Sequence, residues 1–398
     1  MENTELTLYL ELNDSNFIFF VCENDRQNYF KLSYKTIVPL EGIKNNRIID
    51  PEKAQNIIKK NVYYIEQKFD FIFKEIVIIL ENFNLSFINL TGFKKLNGTQ
   101  ILKENVTYIL NKLKSYVDET EHEKKILHIF NSNFFLDNKK IENLPIGLFG
   151  NTYSHELSFS LISNNDFKNI KNILDKCNLK IKKTLLKSFI LGSNISNHNE
   201  YLDTFFRIKV NENNSRIFYF ENNCLKFEQR FEFGTNIIIN DICKITSIRD
   251  KIIKKIMLEH DLSENINSDE LIEKEFFEGE RYIKIKKKLI YEIAEARIKE
   301  ISEILLLKNV NLKFYNSSAK IIFLEFKDQL QFKSLGKIFK KVFSEKRDKN
   351  LQFSQNQSSE SLLRTANELV HYGWKREAIP VAQNKKSLIR RLFEDIFE

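Results

Sequence analysis

Apolar and polar residues alternate through residues 6–12 (LTLYLEL), and beyond Asn-Asp-Ser an apolar run follows at 17–21 (FIFFV). That pattern predicts two strands joined by a tight turn. Residues 29–38 suit a third strand. After Pro51 the period changes: Ala54, Ile57, Ile58, Val62 and Ile65 share one helical face. A helix to about Lys68 is expected, with Asp50 as its N-cap. EIVIIL at 75–80 reads as a buried strand. A second group follows, with a strand at 85–91 and a helix at 99–115 carrying Ile101, Val106, Ile109, Leu110 and Leu113. Strands are expected at about 126–136 and 153–163, separated by the Pro145-Ile146-Gly147 turn, then a helix at 166–176 capped by Asp166.

Downstream, 182–192 reads as a helix stopped by a polar breaker from Ser193 to Asn199. Residues 204–210, 216–221 and 224–233 alternate as three strands. Helices are expected at 248–259, 269–276 and 287–307, a strand at 319–326, and a helix at 334–344. Residues 345–359 show no apolar period and read as a loop. A helix at 360–372 and a connector at 373–383 follow. The chain is therefore read as an α/β body, a short tether and a terminal amphipathic segment.

That segment, 384–398, has its own pattern. Leu388, Ile389, Leu392, Phe393, Ile396 and Phe397 come in pairs four apart, which makes one stripe on a helix. Lys385, Lys386, Arg390 and Arg391 lie at its start and on its flank, and Ser387 is placed to cap it. A helix this short is marginal in water and too short to span a bilayer. It suits the surface of an anionic membrane, with its Leu/Ile/Phe face in the acyl boundary. The same stripe also suits a terminal helix docked on the protein's own core.

Composition narrows the class. The 398 residues are 42% hydrophobic and 29% charged, enough for two or more globular domains. The net charge of +8 is spread along the chain, unlike a concentrated nucleic-acid footprint. Cys22, Cys177, Cys224 and Cys243 form no CxxC pair, so reduced thiols are expected. The N-terminus MENTELTLYLEL lacks the basic start of a signal peptide. His122, His128, His155, His198, His260 and His371 show no metal-ligand spacing and read as surface or hydrogen-bonded residues. No GxSxG elbow occurs. Glu278 and Glu280 read as surface charges, and Arg281–Lys288 as a solvated strand entering a helix. Of the ten glycines, the closest pair is Gly147 and Gly150. No glycine-rich loop of the kind that wraps phosphate is present.

One stretch carries a resemblance. His128–Asp137 (HIFNSNFFLD) matches the segment His-x-Ile-Pro-x-x-(Tyr/Phe)-x-x-Asp of the bacterial cell-division family FtsA. Leu144–Gly150 (LPIGLFG) matches that family's (Asn)-Pro-(Ile/Val)-Gly-(Leu/Met)-x-Gly, and Lys176-Cys177-Asn178-Leu179 stands where its Cys-Gly-Leu helix end falls. Weaker matches lie at Glu41–Asp50, Asn236–Ile242 (NIIINDI), Glu295–Glu300 (EARIKE) and Arg364–Tyr372. The resemblance implies an actin-like fold of duplicated ribonuclease H-like halves. Subdomain 1A would be 1–84 with 166–203, and 85–165 an inserted 1C-type (SHS2-like) subdomain for polymer contacts. Subdomains 2A and 2B would occupy 204–344, with 2B at about 245–312. Residues 345–372 would be a loop and the return helix of 1A, 373–383 a linker, and 384–398 a membrane-targeting helix. The function implied is tethering of FtsZ filaments to the cytoplasmic face of the inner membrane at the division site. Self-association and contact with other divisome proteins belong to it; nucleic acid does not.

The chain departs from that family at the nucleotide. Where a first phosphate loop is expected it has Asn13-Asp14-Ser15-Asn16, and Asp14 would repel a phosphate. The second loop aligns with Lys209-Val210-Asn211-Glu212-Asn213-Asn214-Ser215-Arg216, where cations replace the two magnesium-managing carboxylates. The adenosine motif falls at Leu324-Glu325-Phe326-Lys327, without glycine. Lys209 and Arg216 could replace magnesium and salt-bridge a phosphate, or pair with an internal acid, which is the preferred reading. No catalytic residue, metal or cofactor is expected; ATP is implied by resemblance only. The rival readings are an active actin-like ATPase or sugar-kinase relative, and a related pilus-assembly actin-like protein.

Overall fold

The computed structural model describes residues 5–13, 15–24, 30–44, 47–199, 201–259, 267–277, 279–313, 315, 319, 321–326, 333–345, 350–353 and 358–378. The expectations at Asp14, His260, Glu278, Lys327 and 384–398 lie outside them, as do parts of those at 345–359 and 373–383. Two compact units emerge: residues 7–19, 36–184 and 371–378, and residues 5–6, 20–35 and 185–370.

Along the chain, β1 (Glu5–Leu12) and β2 (Asn16–Asn24) lead through β3 (Phe30–Pro39) to a two-residue pair, β4 (Ile43–Lys44) and β5 (Arg47–Ile48), with residues 5–6 and 20–35 falling in the second unit and the rest in the first. Gly42 opens that pair at φ +76, and a Cβ there would meet the Asp50 carbonyl at 2.3 Å. Helix α1 (Pro51–Phe69) follows, with Asp50 accepting from Lys53 N as its N-cap, and buries Ala54, Ile58, Val62 and Ile65. β6 (Glu75–Leu80) returns parallel to β1, pairing Tyr9 with Val77 and Leu12 with Leu80. A separate antiparallel sheet contains β7 (Leu85–Lys95), β8 (Lys124–Leu136), β9 (Lys139–Ile141) and β10 (Thr152–Ser163) in the order β7-β10-β8-β9. Helix α2 (Lys103–Thr120) covers one face with Ile109, Leu110 and Val117. Gly92 permits this close packing, since a Cβ there would meet Ile109 Cγ2 at 2.5 Å. Helix α3 (Asn164–Lys176) packs on α1, and β11 (Lys180–Leu186) closes the first sheet in the order β11-β6-β1-β2-β3.

The longest stretch of the second unit, residues 185–370, carries α4 (Lys187–Asn197) near its start. β12 (Phe205–Val210), β13 (Ser215–Glu221) and β14 (Cys224–Phe231) form an antiparallel meander. Helices α5 (Thr235–Thr246), α6 (Asp250–Glu259) and α7 (Lys287–Ser302) follow. β15 (Ile321–Phe326) pairs parallel with β12; after α8 (Lys333–Glu345), β16 (Asn350–Phe353) pairs parallel with β15, and α9 (Ser359–His371) ends the unit. The sheet order is β14-β13-β12-β15-β16. In both five-stranded sheets, three consecutive strands are neighbours, the fourth lies beside the first, and the fifth lies outside it. One topology occurs twice, as duplicated halves require.

Several expectations change. Residues 180–186 form an edge strand, and the helix expected at 182–192 starts at Lys187 and runs through the supposed breaker. Asn194 is accommodated there because α9 supplies its partners: Asn194 Nδ2 donates to Ser361 Oγ at 2.8 Å and Thr365 Oγ1 at 3.0 Å. The α3 cap is Ser163, whose hydroxyl accepts from Asp166 N. The helix expected at 99–115 starts at Lys103, because Leu102 N donates to Asn105 Oδ1 while Ile101 anchors in the core. The helix expected at 269–276 is only a short 3-10 turn at Lys274–Phe277; Leu271 instead bridges Lys286. Lys287, expected in a solvated run, is buried between Glu270 (2.7 Å) and Glu273 (2.6 Å). Helix α5 and strands β9 and β16 were not anticipated. His155 is neither on the surface nor hydrogen-bonded: it is fully buried beside Phe134, and neither ring nitrogen has a partner.

Candidate functional site

The β1–β2 turn is held by its own side chain. Asn13 Oδ1 accepts from Ser15 N at 2.9 Å and Asn16 N at 2.8 Å. These are the backbone donors a phosphate would need. The β12–β13 turn is closed in the same way. Asn211 N donates to the Asn214 carbonyl at 2.9 Å, and Asn211 Nδ2 to Asn214 Oδ1 at 2.8 Å. Behind it stands the N-terminus of α5, which would attract an anion if its N–H groups were open. They are engaged: Thr235 N donates to the Asn211 carbonyl at 3.0 Å and Asn236 N to the Glu212 carbonyl at 2.9 Å. Asn236 Nδ2 also donates to Asn213 Oδ1 at 2.9 Å. Gly234 makes the approach possible, since a Cβ there would lie 2.1 Å from the Asn211 carbonyl oxygen.

The cations beside this turn face internal acids. Arg216 lies 2.8 Å from Glu228 and both are buried; Ser188 Oγ adds a donor to the same carboxylate at 3.4 Å. Burial pushes the Glu228 carboxyl up, and the charge and hydrogen bond of Arg216 oppose that rise. Glu325 pairs with Arg207 and stands 3.9 Å from Lys209. Arg207 also lies over the Phe218 ring. The backbone donors named at these turns bond within the chain itself, and Lys209 and Arg216 each face an acid.

The FtsA-like motif residues have structural work. Asp137 Oδ1 accepts from Asn151 N and Thr152 N, both at 2.8 Å, tying the end of β8 to the start of β10. Those hydrogen bonds hold its carboxyl below the usual range. Gly147 takes φ +91, and a Cβ on Gly150 would meet Leu136 Cδ1 at 2.2 Å. Asp241 of α5 and Arg297 of α7, from two separate weak matches, form an ion pair. Glu295 of α7 reaches Lys341 of α8 at 2.9 Å.

The connector is docked as far as the described chain extends. Asn131 N donates to the Arg376 carbonyl at 2.7 Å and Ala378 N to the Ile129 carbonyl at 2.8 Å, which adds residues 376–378 to the β8 edge. Glu377 is the pin: Lys183 Nζ lies 2.9 Å from one carboxylate oxygen, and His128 Nδ1 lies 3.5 Å from the other. Burial alone would raise the Glu377 carboxyl, but the hydrogen bonds and charges of His128 and Lys183 bring it to about 2. Burial outweighs Glu377 at His128 and pushes that ring below its ordinary value. The connector was expected to be a plain tether; a lone glutamate in its sequence gives no sign of this anchor. Among the described residues, no helix is long and apolar enough to cross a membrane.

Duplicated five-stranded α/β halves define the actin-like class of fold. A solved PilM-PilN type IV pilus biogenesis complex matches with a TM-score of 0.54 over 92% of this chain and 98% of that chain, at 9% identity. No family model matches the chain. In sequence it is similar to the cell division protein FtsA of Buchnera aphidicola (subsp. Schizaphis graminum), 19% identical over 241 residues, 61% of this chain and 57% of that protein. FtsA of Escherichia coli K12 is 19% identical over 265 residues, 66% of this chain and 63% of that protein. The matches therefore span less than two thirds of those relatives. The chain is an actin-fold protein distantly similar to FtsA.

Proposed function

We propose that this chain is an FtsA-like tether, which holds FtsZ filaments at the cytoplasmic face of the inner membrane. The carrying observation is the similarity to FtsA over 265 residues in a chain of actin-like fold. In this proposal, residues 85–165 are the 1C-type, SHS2-like module for self-association, and about 245–312 the 2B-type region that docks FtsZ. Leu388, Ile389, Leu392, Phe393, Ile396 and Phe397 supply the lipid contact. One such segment binds weakly and reversibly, and polymerisation multiplies it into firm attachment. Phe393→Glu is expected to release the protein from anionic vesicles; unchanged co-sedimentation would refute the tail's role.

The protein acts as a scaffold, without ATP turnover. Support comes from the closed turns at 13–16 and 211–214 and the internal partners of Lys209 and Arg216. Calorimetry is expected to detect no magnesium-dependent ATP binding in the micromolar range. Micromolar binding would return the chain to the active ATPase class.

A further inference from the structure

The end of α1 carries an exposed apolar feature to which the proposed function assigns no role. Opposite the buried face of α1, Tyr63 is 63% and Tyr64 60% exposed. In the loop that follows, Phe71 is 44% and Ile72 75% exposed. Large apolar side chains gathered and exposed in this way mark a contact surface.

The loop is built to present them. Asp70 takes a left-handed conformation (φ 48) and ends the helix. Phe71 N donates to the Glu66 carbonyl at 3.2 Å, and Phe73 N to Glu66 Oε1 at 3.0 Å. Phe73 is buried, with its ring 4.9 Å from that of Phe71. One end of the loop is thus anchored in the core while Phe71 and Ile72 remain outside.

The surrounding charge selects the partner. Residues 59–74 contain Lys59, Lys60, Lys68 and Lys74 against two acids, Glu66 and Asp70, and Glu66 is engaged in holding the loop. All four lysines are exposed. On α1, Lys60, Tyr64 and Lys68 follow one another at four-residue spacing, so they share a row. Basic groups flanking aromatic and aliphatic tips complement an anionic lipid surface: ammonium groups reach phosphate, phenol rings sit at headgroup depth, and Phe and Ile enter the acyl boundary. A protruding tip needs a partner that deforms around it, which a bilayer does.

We infer that the C-terminal end of α1 and the 71–72 loop form a second membrane contact, on the body of the protein. It rests on the tether reading only in taking a membrane as partner, and it does not require the terminal segment. The test uses the full chain with vesicles of phosphatidylcholine, alone or mixed with phosphatidylglycerol. Phe71→Ser with Ile72→Ser is expected to weaken binding to the anionic vesicles about tenfold, a change of about 1.4 kcal/mol. Combining that pair with Phe393→Glu is expected to remove the binding that Phe393→Glu alone leaves. In Ile72→Trp, the new indole is expected to shift to the blue on anionic vesicles and be quenched by brominated lipid. The only native tryptophan, Trp374, is buried and gives a steady background. Unchanged affinity in the loop variant, with no shift in Ile72→Trp, would overturn the proposal and assign these residues to a protein partner. Unchanged binding in Phe393→Glu alone would count against the tail and leave the loop's result standing.

Discussion

His155 makes the antiparallel sheet of β7–β10 sensitive to acid. It lies on the α2 side of β10, opposite Gly92 and against Phe134, with both ring nitrogens unpartnered. Burial lowers its pKa from 6.5 to about 4. The unfolded chain therefore binds a proton between those values that the folded chain refuses. Stability is full above pH 6.5 and declines as pH falls towards 4. The whole shift corresponds to about 3.4 kcal/mol, of which about 2 is already lost near pH 5. Replacing His155 with Leu removes the proton site and the unsatisfied nitrogens together. The expected result is a gain of about 1–2 kcal/mol at neutral pH and a flatter acid limb. Hydrogen exchange of β10 amides at about pH 7 and pH 5 reads this locally, without assuming that the whole chain unfolds in one step. His128, also lowered by burial, leaves a residual slope. An identical pH dependence in wild type and His155→Leu would refute the reasoning.

Three further outcomes follow from specific contacts. A Cβ on Gly192 would fall 1.9 Å from the Phe220 ring, so Gly192→Ala is expected to cost about 2–3 kcal/mol, with part recovered by adding Phe220→Leu; urea midpoints check both. Glu377→Ala removes the pin between Lys183 and the connector, at about 1.5–3 kcal/mol, and trypsin cleavage after Arg376 is expected to rise about tenfold or more. Arg216→Met alone leaves Glu228 buried without its cation and is expected to cost about 3–5 kcal/mol, whereas Arg216→Met with Glu228→Met is expected to be much milder in thermal unfolding.

Strands with strict alternation were legible in the sequence, as were helices with a clean apolar face. α1 is the clearest case, since Pro51 and the Asp50 cap mark its start. Elements that depend on distant partners were not. β11 reads Lys-Ile-Lys-Lys-Thr-Leu-Leu and gains its identity from the edge it completes, not from its own period. α4 tolerates Asn194 because α9 supplies its partners, while the Ser193 and Ser196 hydroxyls are buried without one among the described residues. α5 is rich in isoleucine, which suits a strand as well as a helix, and its start is set by backbone bonds to the β12–β13 turn. β16 is four residues long with one buried side chain, too little for any period. The cations Lys209 and Arg216 were legible as misfits in a phosphate site, and their expected internal acids are Glu325 and Glu228. The Glu377 anchor was not legible, because its partners lie about 190 and 250 residues upstream along a chain whose contacts form only on folding.

The most direct measurement is vesicle co-sedimentation with FtsZ, comparing the full chain with one ending at Gln383. The tether account predicts that FtsZ pellets with anionic vesicles only when the full chain is present, and that the shorter chain leaves most of it in the supernatant. FtsZ remaining in the supernatant with both chains would contradict it, reducing the likeness to FtsA to shared ancestry.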